Sequence, residues 1–181
     1  MAFTVVPITG TLKDAGGNVL SGSFTFTLTN AITNDGETVP ASPITASLAN
    51  GALSLSLVSP NDPDTTPPGV WYGVTENLAG CQPRDYFITL PGTATETNGT
   101  VTAGSDLVQL SSLKALPWMV GCQITGTGIP SGATVTAILQ NTNELQLSQS
   151  ATASGTGLTL TVAPPASVDI STLVPGDTGW L

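Results

Sequence analysis

The sequence predicts an all-β protein, and three of its features support this fold class. Apolar residues alternate with threonine or serine along most of the chain, as in residues 24–29, 53–57 and 158–162. A period of two places one set of side chains in a core and the other in solvent. Clusters of glycine, asparagine and proline interrupt the alternation at short intervals, as turns between short strands do. No window has a convincing helical period, and Pro117 limits the best helical candidate, residues 110–119, to about two turns.

In about the first 90 residues, the sequence pattern predicts six or seven short strands. Residues 5–12 and 19–29 flank a turn of aspartate, glycine and asparagine, residue types that accept positive φ angles at little cost. Asn50 and Gly51, between two further apolar stretches, form the strongest two-residue hairpin signal. Strands at this spacing are typical of an antiparallel β-sandwich of the Ig-like, Greek-key type.

A second, small β-domain is predicted inside the first one. It has about five alternating segments separated by glycine- and asparagine-rich turns. If it were removed, the strand at 86–90 would run almost directly into residues 165–170. The chain therefore divides into an outer β-sandwich domain and a β-domain inserted near its C-terminal end. The predicted boundaries are 1–95 plus 164–181 for the outer domain and 96–163 for the inserted domain.

The charge pattern excludes two classes of partner. Only 8% of the residues are charged, the net charge is −9, and the cations are Lys13, Arg84 and Lys114. Three scattered cations cannot neutralise several phosphates on one face, so we expect no nucleic-acid partner and no anionic membrane surface. No apolar run is long enough to span a membrane, and residues 1–20 lack the pattern of a signal peptide. We therefore expect a protein that is made in a cytoplasm.

The residue types that carry most catalysis are scarce. The chain has no histidine, which excludes a Ser-His-Asp arrangement, a Cys-His pair and the commonest metal ligand. Cys81 and Cys122 fall in different predicted domains and are expected to be free thiols. Asn61, Asp62 and Asp64 could begin a calcium site, but no acidic loop pattern completes it. We expect no enzyme, cofactor or metal site; a pair of carboxylates of the glycosidase kind stays open as an alternative.

Four apolar or aromatic residues are the candidate partner contacts. Trp71 and Tyr72 are neighbours on a predicted strand, so one should face the core and the other should face outward. Trp180 and Leu181 end a polar chain with an apolar pair, which suggests docking on a partner; docking on the chain's own domain and a frayed end stay open as alternatives. A separate prediction concerns Glu76 and Arg84, which are expected to meet across paired strands as an exposed ion pair worth less than about 1 kcal/mol.

Several segments resemble bacteriophage virion proteins. Residues 120–138 (VGCQITGTGIPSGATVTAI) and 145–160 (LQLSQSATASGTGLTL) are similar to a small β module that recurs in phage tail, fibre and other virion proteins. Residues 71–76 (WYGVTE), 84–91 (RDYFITLP) and 165–173 (PASVDISTL) resemble the N-terminal β-domain of minor tail or head-fibre proteins of phages that infect actinobacteria. The resemblance covers most of the chain and implies a structural role without catalytic residues.

The function implied by this resemblance is that of a non-enzymatic virion protein assembled in the host cytoplasm. A capsid decoration or minor capsid protein is favoured, because the chain is short and acidic and has no collagen-like or coiled-coil stalk. Its partners would be major capsid or tail proteins, and a homo-oligomer such as a trimer would multiply weak contacts. Two alternatives stay open: a minor tail or fibre-associated protein, and a carbohydrate-binding adhesion module with weak glycan binding.

Overall fold

The computed structural model describes residues 3–172, and it confirms the all-β prediction. Within this range the chain forms fifteen strands and two short 3₁₀ helices, Pro117–Met119 and Ile170–Thr172. The strands are β1 (Val5–Thr11), β2 (Gly22–Leu28), β3 (Ile32–Asn34), β4 (Glu37–Val39), β5 (Ile44–Ser47), β6 (Ala52–Val58), β7 (Tyr72–Leu78), β8 (Arg84–Ile88), β9 (Ala94–Val101), β10 (Leu107–Gln109), β11 (Gln123–Gly126), β12 (Val135–Leu139), β13 (Glu144–Leu147), β14 (Gly155–Ala163) and β15 (Val168–Asp169).

These strands belong to two compact units. Among the described residues, the first unit comprises 3–90 and 166–172, and the second comprises Pro91–Pro165. Each unit has its own cluster of buried apolar side chains, seventeen in the first and fifteen in the second. A separate core for each unit is the expected property of a compact folding domain.

The first unit has the layers of a β-sandwich. β15, β1 and β6 form one sheet, in which β1 runs parallel to β15 and antiparallel to β6. β5, β2, β7 and β8 form an antiparallel four-stranded sheet, and β3 pairs with β4 as a separate hairpin. Ile8 and Leu57 from the first sheet and Phe24, Phe26 and Val74 from the second lie in the same buried cluster. Two sheets that share one core in this way form a sandwich.

A bent antiparallel ribbon connects the two sheets of the sandwich. β1 pairs with β6 in one sheet, and β2 pairs with β5 in the other. The connection from β1 to β2 and the connection from β5 to β6 therefore pass side by side from one sheet to the other. At the bend, Asn50 and Gly51 have φ angles of 52° and 77°, and the backbones of Ala49 and Ala52 exchange two 2.9 Å hydrogen bonds. This is the geometry of a type I′ turn. The predicted turn is confirmed, but the strands that it joins lie in different sheets.

The second unit is one antiparallel sheet that closes on itself. Its strand order is β11-β14-β9-β10-β13-β12. The two ends of this order are joined, because Ile124 N–H donates to the Ala133 carbonyl at 3.0 Å and Val135 N–H donates to the Cys122 carbonyl at 2.9 Å. The core cluster of this unit includes buried side chains from all six strands. These hydrogen bonds pair the two edge strands, β11 and β12, with each other. A sheet closed in this way is a small barrel.

The predicted helical segment forms only the 3₁₀ turn at its end. Before that turn, the backbone N–H groups of residues 111–113 donate to the carboxylate of Glu96, and that of Ala115 donates to Asn143 Oδ1. These side chains replace the carbonyl acceptors of a helix. The helical candidate was therefore wrong, apart from the single turn that Pro117 begins.

Candidate functional site

The structure describes two of the four predicted partner contacts, Trp71 and Tyr72. Tyr72 is 2% exposed, its hydroxyl donates to the Val58 carbonyl at 2.9 Å, and burial raises its pKa to about 12. Trp71 directly precedes β7 and is half-buried. Because Tyr72 is buried and Trp71 is not, the prediction that one of the pair faces the core is confirmed. A contact role for Tyr72 was wrong, since its side chain belongs to the core. Trp180 and Leu181 lie outside the described residues, and their contact role stays a prediction with that of Trp71.

The solvent-facing side of the four-stranded sheet carries a row of oxygen-bearing side chains. Thr45, Thr25, Thr75 and Asp85 stand opposite one another on β5, β2, β7 and β8. The hydroxyls of Thr25 and Thr45 are 2.9 Å apart, and the Thr75 hydroxyl donates to Asp85 Oδ1 at 2.7 Å. Cross-strand pairs of this kind hold side chains at a fixed spacing. This side of the sheet is called the outer face below.

The neighbouring row of the outer face contains a hollow. Thr27, Gly73 and Phe87 stand opposite one another on β2, β7 and β8. Phe87 is 63% exposed, the largest exposed fraction among the large apolar side chains of the described chain. Since Gly73 has no side chain, a hollow of about 240 Å³ opens at this row, and Thr75 and Asp85 complete its polar wall. We call it the Phe87 hollow.

The Phe87 hollow was not among the sequence-predicted sites. Alternation along β8 does give the orientation of the ring, because Tyr86 and Ile88 are buried and the residue between them must face outward. Its position opposite Gly73 follows from the same strand pairing that was predicted for Glu76 and Arg84, but no sequence motif marks the two residues as a site.

Glu76 and Arg84 are cross-strand neighbours, as predicted. Both lie in the described part of the chain, and no ion pair is formed between them there. The Arg84 guanidinium lies 5.7 Å from the centre of the Tyr86 ring instead, within the range of a cation–π contact. The Tyr86 hydroxyl is buried, and burial together with the nearby carboxylate of Glu76 raises the pKa of Tyr86 to about 12.

The most strongly braced carboxylate belongs to Glu96 on β9. Its side chain is fully buried, and it accepts backbone hydrogen bonds from Asn98, Ser111, Ser112 and Leu113 at 2.6–3.0 Å, as well as a bond from the Ser112 hydroxyl. Burial alone raises the pKa of Glu96, but these hydrogen bonds outweigh burial and hold the pKa at about 2. Glu96 is therefore ionised, and its carboxylate holds the loop at residues 111–113 in place. This role was not predicted from the sequence.

Asn143 completes the brace from the turn between β12 and β13. Its Oδ1 accepts from Ala115 N–H at 2.8 Å, and its Nδ2 donates to the carbonyls of Leu110 and Leu113 at 3.0 and 2.9 Å. The residue has a φ of 56°, a conformation that asparagine tolerates better than most residues. We call the Glu96 and Asn143 side chains, with the loop that they hold, the polar brace.

The candidate calcium loop is also tied to the protein itself. Asn61 Nδ2 donates to Thr89 Oγ1 at 2.6 Å and to the Leu90 carbonyl at 2.7 Å. Asp62 is 8% exposed and accepts a hydrogen bond from Thr4 N–H at 2.5 Å. Residues 3–172 contain no group of three or more His, Cys, Asp or Glu side chains that could hold a metal ion.

Both cysteines are free thiols, as predicted, and their surroundings differ. Cys81 is exposed, whereas Cys122 is buried and its Sγ lies 3.4 Å from the Trp118 carbonyl, to which it donates. Burial raises the pKa of Cys122 to about 12, so the thiol stays protonated near neutral pH. Cys122 is a packing residue of the second core.

Comparison of the chain with protein-family models, curated proteins and solved structures gives no match. Among the described residues, no helix is long and apolar enough to cross a membrane.

Proposed function

We propose that this chain is a non-enzymatic structural protein of a bacteriophage particle, and that it decorates the capsid as a minor capsid protein. The resemblance of residues 71–76, 84–91, 120–138, 145–160 and 165–173 to virion proteins supports this proposal. The carrying observation is that its most strongly held carboxylate, Glu96, braces a loop with every hydrogen bond made inside the protein. Such an arrangement stabilises a rigid module and contributes nothing to a substrate.

The finer fold assignment belongs to the same proposal: an Ig-like, Greek-key sandwich with the second β-domain inserted near its C-terminal end. Three observations support it. The two sheets of the first unit share one core, β1 and β15 pair in parallel, and residues of the first unit lie on both sides of the second in the sequence. An insertion of this kind can leave the host domain intact, because Ala94 pairs with Val162 and the two ends of the second unit therefore lie side by side.

Attachment to the particle would depend on surface complementarity repeated over many copies. The outer face, with its exposed Phe87, and the half-buried Trp71 give the first unit a surface of regularly spaced hydroxyl groups and aromatic contacts. Individually weak contacts become strong when a symmetric ring, such as a trimer, engages several lattice subunits at once. The partners in this proposal are major capsid proteins, and the location is the virion assembled in the host cytoplasm.

Electron microscopy of particles labelled with a gold-conjugated antibody against this chain tests the proposal. Gold on the heads supports capsid decoration. Gold confined to the tails would overturn that location in favour of a minor tail or fibre-associated protein. Particles without label, from a lysate in which the same antibody detects the chain, would overturn both.

A carbohydrate-binding adhesion module is the second candidate function. The Phe87 hollow favours it, since it combines an exposed aromatic ring with hydroxyl and carboxylate groups. The two functions are compatible, because a decorating protein can also bind a glycan.

A further inference from the structure

We propose that the Phe87 hollow on the outer face binds one uncharged pyranose ring of a glycan. The inference goes beyond a structural role in the particle and holds whether the chain is found on heads, on tails or on neither.

The aromatic wall is the first argument. A phenylalanine ring is usually buried, and leaving 63% of it in water exposes apolar surface without a packing gain. The ring lies beside Gly73, where a Cβ atom would be 3.6 Å from Phe87 Cε1. The apolar C–H face of a pyranose can cover such a ring, as flat ligands cover aromatic side chains at binding sites.

The size of the hollow is the second argument. Its volume of about 240 Å³ is below the roughly 300–1,000 Å³ of pockets that bury drug-sized ligands. One sugar ring fits this scale, and the rest of an oligosaccharide would extend over the outer face. Because the hollow is open to solvent, it can accept either a terminal or an internal sugar of a glycan chain.

The polar groups are the third argument. Thr27 and Thr75 border the hollow, and the Thr75 hydroxyl fixes the orientation of the Asp85 carboxylate through a 2.7 Å hydrogen bond to Oδ1. An ionised carboxylate accepts about four hydrogen bonds, so the capacity for two neighbouring sugar hydroxyls remains. An aromatic ring on one side and an oriented acceptor on the other define which face of the sugar is bound.

The charge of the site selects among sugars. Asp85 is the charged residue of the hollow, and the whole chain has a net charge of −9. Arg84 does not offset it, since its guanidinium lies over the Tyr86 ring rather than in the hollow. Sialic acid, uronic acids and sulfated sugars would be repelled, and neutral hexoses are expected to bind.

The experiment is a ¹⁵N-HSQC titration of the full chain with methyl glycosides of glucose, galactose and mannose, and with glucuronic and sialic acid. We expect at least one neutral glycoside to shift the amide signals of Gly73, Thr75 and Phe87 with a Kd in the millimolar range. The acidic sugars should leave these signals unchanged. The spectrum also reports whether each variant below is folded.

Two variants place the binding in the hollow. Phe87→Ala removes the aromatic wall and should weaken binding by about tenfold, the effect of losing a single good stacking contact. Gly73→Ala adds a methyl group to the floor of the hollow, where its nearest neighbours would be at 3.6 Å and therefore unstrained. It should weaken binding by a similar factor. Thr45→Ala, on the same face but outside the hollow, is the matched control and should bind as the wild type does.

The proposal is overturned if no neutral glycoside shifts these amides, if the acidic sugars bind more tightly, or if both variants retain wild-type affinity. Should Phe87→Ala fail to fold, Gly73→Ala decides alone. None of these outcomes depends on where the chain is located in a particle, so this test and the labelling test can fail separately.

Discussion

The two units reach stability by different means. The buried cluster of the first unit contains four aromatic residues, with the rings of Phe24 and Phe26 stacked at a centroid distance of 6.2 Å. Among the described residues, the buried cluster of the second unit contains four alanines and no aromatic side chain. The second unit is stabilised instead by the closure of its sheet and by the polar brace. A small interior with little apolar area can therefore depend on one ionised group, and the following predictions test this contrast.

Phe26→Ala should produce the largest loss, and only in the first unit. The side chain is fully buried, and removing a phenylalanine from a core costs about 3–5 kcal/mol. Urea unfolding followed by the fluorescence of Trp71, in a background with Trp118 and Trp180 replaced by Phe, measures it. A loss below about 1 kcal/mol would show that this core is not tightly packed.

Glu96→Ala should cost somewhat less, and only in the second unit. It leaves the backbone N–H groups of residues 111–113 without their acceptor, and unsatisfied buried donors cost about 1–3 kcal/mol each before water relieves them. We expect the free energy of unfolding of the second unit to fall by about 3 kcal/mol. The fluorescence of Trp118, in a background with the other two tryptophans replaced by Phe, measures this change. Glu144→Ala, which removes a carboxylate of the same unit that accepts an exposed hydrogen bond from the Thr142 hydroxyl, is the matched control and should cost less than about 1 kcal/mol. An equal loss in both variants would contradict a special role for the brace.

Acid should separate the two units for the same reason. The folded pKa of Glu96, about 2, lies below its ordinary value of 4.5, so the ionised group stabilises the second unit above about pH 5. This contribution, about 3 kcal/mol from the pKa difference, is lost as the pH falls from about 5 toward 2. Urea midpoints measured between pH 6 and pH 2.5 should fall more steeply for the Trp118 signal than for the Trp71 signal. Glu96→Gln should remove the difference; parallel curves in the wild type would contradict the assignment.

The smallest effect concerns the thiols. Cys81 is exposed and should react with a thiol reagent in the folded protein. Cys122 is buried and protonated, and it should react only when the second unit unfolds. Cys81→Ser should change stability by less than about 0.5 kcal/mol. Fast labelling of both thiols in the folded protein would mean that the second core opens readily.

Much of the architecture could be predicted from local sequence. Asp35 and Gly36 form a turn with φ angles of 48° and 84°, a left-handed conformation that an aspartate–glycine pair allows. The pattern at Asn50 and Gly51 was equally correct about the turn, but a type I′ turn has the same local chemistry in a hairpin and at a corner between sheets. Which sheet each flanking strand joins is decided by distant strands, β1 and β2.

The candidate site and the brace were less predictable. β9 was missed because it is not apolar at alternate positions, and two of its inward positions are Glu96 and Gly99. Glu96 is compatible with an interior only because hydrogen-bond donors from a loop fifteen residues away meet it there. Gly73 and Phe87 become one site only through strand pairing. Tertiary partners of this kind leave no periodic signal in the sequence.

The central claim, that the chain is a structural part of a virus particle, is tested most directly by quantitative mass spectrometry of density-purified particles. The account predicts that its peptides are retained after the last gradient at a constant ratio to those of the major capsid protein. Peptides found only in the unassembled fraction of the lysate would contradict it.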